Sequence, residues 1–162
     1  MSQQGAAHEP EHRSAEILTD VAKARVSRPE EIVKKLRVFT EIEGVDFCDV
    51  DLIQARAEND KHGWDVNALF RVTVGVDTER GDRVLRTLAF FKTHVPYPVE
   101  DCPFVDFREL ESRVEIHDIV CSTSVGPEEH CLVVQATFRL VLYALKDEVI
   151  EVVTVCRLPG PQ

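Results

Sequence analysis

Glycine is sparse in this chain and never clustered. The seven glycines stand singly, so there is no loop to cradle a phosphate, neither a Walker loop nor a dinucleotide fingerprint. The Gly-x-Ser-x-Gly turn of a hydrolase nucleophile is missing too. No apolar run is long enough to cross a bilayer as a helix. Basic residues are few: 19 Lys and Arg stand against 29 Asp and Glu, a formal charge of -10. That balance repels a phosphate backbone, and no Lys/Arg cluster offsets it along the chain. Nucleic acid is therefore not an expected partner, and membrane insertion is not expected. The first residues lack the basic head and apolar core of a secretion signal, which points to synthesis and first folding in a cytoplasm.

Metal-ligand groupings are also missing. Neither Cys-x-x-Cys nor His-x-x-x-His occurs. His117 and Cys121 are four apart and His130 precedes Cys131, but on a strand four residues span about 13 Å, too far to share an ion. No metal or cofactor is expected, nor any catalytic residue. An enzyme built on His117, His130 and a carboxylate is the outlying reading. The carboxylate pairs Glu109/Glu111 and Glu128/Glu129 read as solvated. Cys48, Cys102, Cys121, Cys131 and Cys156 are odd in number and sit mostly in apolar strand-like runs. They read as five reduced, largely buried thiols, the alternative being that one or two cross-link late.

What is present is hydrophobic material in a two-residue rhythm. Hydrophobic residues make up 44% of the 162, enough for a single domain to bury a core without disulfides or a metal. The stretch Ala68-Leu69-Phe70-Arg71-Val72-Thr73-Val74 is echoed by Ala136-Thr137-Phe138-Arg139-Leu140-Val141-Leu142. Both alternate as β-strands do. Each follows an acidic, β-branched, cysteine-bearing lead-in, at 45–53 and 114–124. The echo reads as a duplicated strand-turn-strand unit.

Strands are expected at 36–40, 45–53, 64–76, 83–92, 110–124, 131–145 and 148–156, with polar turns at 58–63, 78–82, 126–130 and 146–147. The fold class is thus all-β: a β-sandwich or open barrel of about seven antiparallel strands with a short N-terminal helical segment. Residues 1–13 read as a disordered tail and 14–34 as a helical or extended arm. The β-domain covers 35–156, and 157–162 is a C-terminal tail. The helical option rests on Ile17, Leu18, Val21, Ala22 and Val26 sharing one helical face. It also rests on Ser27-Arg28-Pro29-Glu30 as a capping box, followed by the pairs Glu30/Lys34 and Glu31/Lys35.

Between 94 and 107, prolines alternate with aromatics, so the segment reads as an extended edge or wrapping loop. Its residues Pro96, Tyr97, Pro98, Pro103, Phe104 and Phe107, with Phe90 and Phe91 just before them, either plug one end of the domain or dock a partner. From Lys35-Leu36-Arg37-Val38 onward the chain resembles the SPOCS domain (the DUF3794 family) of spore coat and spore-assembly proteins. The likeness lies in the basic-apolar opening strand, the acidic valine-rich strand at 45–53 and the long strand at 64–76. It continues through Val95-Pro96-Tyr97, the acidic-aromatic run Pro103-Phe104-Val105-Asp106-Phe107, and the two long strands after it. Pro98 stands where the family favours a small polar residue.

The resemblance implies a non-enzymatic structural or scaffolding protein, made in the mother-cell cytoplasm and placed in the spore coat or envelope. It implies contacts with other coat or assembly proteins and a homo-oligomer. The competing expectation is a small-molecule or carbohydrate-binding β-domain in which Trp64 and nearby acids line a groove.

Overall fold

A computed structural model describes residues 11–98, 110–126 and 130–156, with the backbone alone at 11–13 and 154–156. Among them run six strands: β1 (Glu11–Arg37), β2 (Ile42–Asn59), β3 (Gly63–Thr78), β4 (Gly81–Pro96), β5 (Glu111–Val125) and β6 (Cys131–Cys156). They form two three-stranded sheets, ordered β2-β3-β4 and β1-β6-β5. The pairs β2/β3, β3/β4 and β5/β6 are antiparallel. Contacts from β1 to β6 run the same way: Val38 N donates to His130 O, Gln135 meets Glu31, and Arg139 meets Ser27.

The chain divides into two units: Ala22–Lys146, and a second made of Met1–Val21 with Asp147–Gln162. In the first unit the central strands β3 and β6 supply the core. Trp64, Val66, Ala68, Phe70, Val72, Val74 and Val76 are buried on alternate positions of β3, as are Leu132, Val134, Ala136, Phe138, Leu140, Leu142 and Ala144 on β6. Two strands covered on both flanks and on one face explain this strict alternation. Phe70 and Phe138 meet between the sheets at 5.2 Å, and Phe91 stands edge-on to Phe138 at the same distance. Each such buried side chain contributes roughly 1.5–3 kcal/mol. The sheets therefore stack as a β-sandwich.

The sequence echo maps onto the two central strands. β2 slips register beside Phe70, between Leu52 and Gln54, and β5 slips opposite Phe138, between His117 and Val120. In β5 the slip holds Asp118 at φ 55°, a left-handed residue of the kind a bulge accommodates. Both hairpins thus bend at the same point of the repeat. The third strand differs: β4 follows β3 directly, whereas β6 takes β1 from the other end of the chain.

Two expectations fail here. Residues 14–37 are strand, so the short helical segment is not found and the arm takes its extended alternative. From Ala24 to Leu36 the even positions of β1 turn inward, with Ala24 and Ile32 buried in the common core, as is Val38 just past the strand. Pairing with β6 buries more apolar surface than a solvated helix would, so tertiary contact overrides the capping box. Glu30 pairs with Arg28, and Glu31 accepts from Gln135 at 2.7 Å, in place of the helical pairs. Pro29 is tolerated because β1 is an edge strand, where a missing donor breaks no ladder. In the second place, no turn interrupts Lys146-Asp147. The two strands expected at 131–145 and 148–156 are one, β6, so six strands stand where about seven were expected.

Candidate functional site

The turns set the ends of the β2-β3-β4 sheet. At the β2–β3 turn Asp60 Oδ1 accepts from the backbone N–H of His62 at 2.7 Å and of Gly63 at 3.0 Å. The His62 hydrogen bond leads in holding the Asp60 carboxyl below its usual value. Asp65 lies opposite His94 in register, and His94 Nδ1 sits 2.9 Å from Asp65 Oδ1. At the other end, the Thr78 hydroxyl donates to Gly81 O at 2.8 Å and accepts from Arg80 N at 3.2 Å. Gly81, at φ 101°, closes that hairpin, a conformation glycine adopts without strain. Asp77 and Asp82 face each other there. A hydrogen bond with Asp82, then the charge of Asp46, pushes the Asp77 carboxyl up to about 6. Both ends of the outer face are thus acidic.

Between them the face changes character. Register places Arg56, Asn67 and Lys92 in one row, Gln54, Leu69 and Phe90 in the next, then Asp51, Arg71 and Leu88. Along β4 the outward residues read Val84, Arg86, Leu88, Phe90, Lys92, apolar and basic with no acid among them. Phe90 is 79% exposed, far more than a large aromatic ring usually is. A shallow depression of about 360 Å³ is lined by Gln54, Arg56, Asn67, Leu69, Phe90 and Lys92. With its amide turned to the guanidinium, Gln54 accepts from Arg56 Nε at 2.7 Å and Nη2 at 2.8 Å, which fixes the cation at the wall of the depression. At the far end the Phe47 ring lies over Gly75, where any Cβ would stand 2.3 Å from it.

The two flanks of the sandwich differ. On one, Cys48 of β2 and Cys121 of β5 are joined in a disulfide that staples the sheets. This corrects the expectation of five reduced thiols. Cys131 is free and half-buried, Cys102 lies outside the described residues, and only the backbone of Cys156 is described. On the other flank the edge strands β1 and β4 leave a groove of about 550 Å³ between residues 31–34 and 89–92.

The residues singled out in the sequence lie apart. Trp64 is fully buried. Its Nε1 donates to Tyr143 O at 3.3 Å, and Tyr97 packs edge-on against it at 4.7 Å. It lines no groove, which corrects that part of the ligand-binding reading. Pro96 is exposed at the end of β4, and Tyr97 and Pro98 are half-buried, while Pro103, Phe104 and Phe107 lie outside the described residues. His117 is exposed and bonded to Glu115 at 2.9 Å. Cys121 is in the disulfide, and His130 is exposed in the β5–β6 turn. The sequence placed Phe90 and Phe91 together in the aromatic stretch that plugs or docks, and left open the outward turn of Phe90. Its signal was there, because Phe90 and Phe91 are neighbours and a strand must turn one of them outward. No family model, curated protein or solved structure matches the chain.

Proposed function

We propose that this protein is a non-enzymatic scaffold that works through protein–protein contact and self-association. One observation carries the reading: an apolar-basic stripe with a bare Phe90 on a chain of net charge -10. Single exposed apolar residues need no explanation, but a stripe of them interleaved with cations suits a protein surface. His117 and His130 lie at different levels of the β5/β6 hairpin, so the histidine pair that the sequence offered as acid and base is not brought together, which supports the non-catalytic half of the reading. The resemblance to the SPOCS domain supplies the setting, a spore coat or envelope filled from the mother-cell cytoplasm with other coat proteins as neighbours. A Cys48–Cys121 bond suits a protein that meets an oxidising layer after synthesis.

The test is the solution mass of the full chain, by size-exclusion chromatography with light scattering over a hundredfold range of concentration. A mass that climbs with concentration is expected. A monomer throughout, with no affinity for purified spore-coat proteins, counts decisively against the reading.

The depression beside Phe90 favours a second reading, a small-molecule or carbohydrate site. An exposed ring flanked by Arg56, Lys92, Asn67 and Gln54 offers stacking and hydrogen bonds to an acidic sugar. Calorimetric titration with neutral and uronic-acid oligosaccharides checks it. Binding abolished by Phe90→Ala is the expected result, and no heat with either class ends it.

A further inference from the structure

The outer ends of β1 and β6 present a different surface. β5 pairs with β6 over 132–145, so beyond that, among the described residues, β6 has β1 alone as a sheet neighbour. A two-stranded ribbon without further cover is marginal in water. This one nevertheless exposes Ile17 (46%), Leu18 (68%), Val149 (63%), Ile150 (40%) and Val153 (54%). Ile17 and Leu18 are consecutive, as are Val149 and Ile150. Consecutive residues of a strand point to opposite sides, so neither side of either segment is fully covered. The same stretches, 14–21 and 147–153, hold five carboxylates and no Lys or Arg. The ribbon is therefore apolar and acidic.

Between Val84 and Lys92 the outward residues of β4, with Arg56 of β2, are apolar and basic. We propose that the ribbon of one copy docks on the β2-β3-β4 face of a second copy, seating one exposed apolar side of the ribbon against Phe90 and Leu88. The carboxylates of that side, Glu16 on one and Glu151 on the other, then lie among Arg56, Arg86 and Lys92. The proposal rests on the self-association put forward above and names the surfaces that carry it. Charge complementarity chooses the occupant: an acidic ribbon fits this face, whereas the face's own acidic ends repel it and fix its position along β4. Pairing of edge strands is the weaker route. Pro29 interrupts the β1 edge, and Arg83, Arg86 and Lys92 line β4, the devices by which edges resist strand addition. Two different patches meet in this contact, so it is heterologous and either closes on itself or continues from copy to copy.

The experiment pairs two charge-reversed forms of the full chain. One carries Arg56→Glu with Lys92→Glu, the other Glu16→Lys with Glu151→Lys; all four side chains are exposed. Sedimentation velocity is recorded for each alone and for an equimolar mixture, with circular dichroism to check the fold. Each variant alone is expected to associate at least about tenfold more weakly than wild type. The mixture is expected to recover, because every face then meets a ribbon of opposite sign. Wild-type association is expected to weaken between low and high salt, a reading that holds even if a variant fails to fold. Undiminished association in both variants, no recovery on mixing, or no salt dependence overturns the docking while leaving self-association through another surface. A shape change that ignores concentration means the ribbon folds onto its own body and also overturns it. A wild-type monomer at every concentration removes the inference and the self-association it rests on, while contact with coat proteins is judged by the affinity test above.

Discussion

At the residue scale, two positions show how little room the hairpins leave. A Cβ on Gly63 would stand 2.0 Å from the carbonyl oxygen of Val95 and 2.8 Å from Cα of Pro96. Both are backbone atoms of a paired strand and cannot swing aside. Gly63→Ala is expected to destabilise the protein by about 1–3 kcal/mol, an overpacking penalty, in a urea titration. Unchanged stability means that β3 and β4 do not approach so closely at that end. Asp77 provides the second case. Its carboxyl is pushed up to about 6 from 3.8, chiefly by the hydrogen bond with Asp82 and then by the charge of Asp46. The folded chain thus holds this proton more tightly than the unfolded one. The resulting stabilisation is complete below about 3.8 and is lost as pH rises through about 6. Asp82→Asn removes the main cause, so its thermal midpoint is expected to gain on wild type as pH rises from 4 to 7. Parallel midpoints across that range contradict the coupling.

At the scale of elements, the sheets are held together at one flank by Cys48–Cys121, which closes a sequence separation of 73. Loop-closure entropy puts such a bond at about 4 kcal/mol, with 2–4 typical of measured cases. Cys48→Ser, or reduction of wild type, is expected to lower the unfolding free energy by that amount. Equal stability with and without reductant contradicts the cross-link. The strands themselves were largely readable. Alternation in 64–76, 83–92 and 110–124 identified β3, β4 and β5, because a strand with one buried face writes that face into every second residue. β1 was not readable. Its Ser27-Arg28-Pro29-Glu30 start and its spaced apolar residues satisfy the local rules for a helix, and only pairing with β6 reverses them.

At the scale of the whole molecule, the core is one contiguous cluster drawn from both sheets, with Phe138 between Phe70 and Phe91. Phe138→Ala removes two ring contacts and leaves a cavity between the sheets, so a loss of about 3–5 kcal/mol is expected by chemical denaturation. A cost under about 1 kcal/mol points to sheets that are not stacked through this residue. The candidate surface was the least legible part of the protein. Arg56, Phe90 and Lys92 belong to two strands far apart in sequence, and only registration through β3 sets them side by side. Prolines and aromatics at 96–107 drew attention in the sequence because they are dense there. Density along the chain says nothing of which rings end up turned outward.

The order of side chains alone determined that this chain folds into sheets and roughly where β2 to β5 run, and it set matching segments at 68–74 and 136–142. Those are local properties, set by the alternation of each strand with its own neighbours. Tertiary structure decided that the N-terminal arm is strand, that β6 runs on without a turn, that Cys48 meets Cys121, and that cations gather around Phe90 on an acidic protein. Each depends on which distant segment lies alongside, and the contact made there outweighs the preference of the segment by itself.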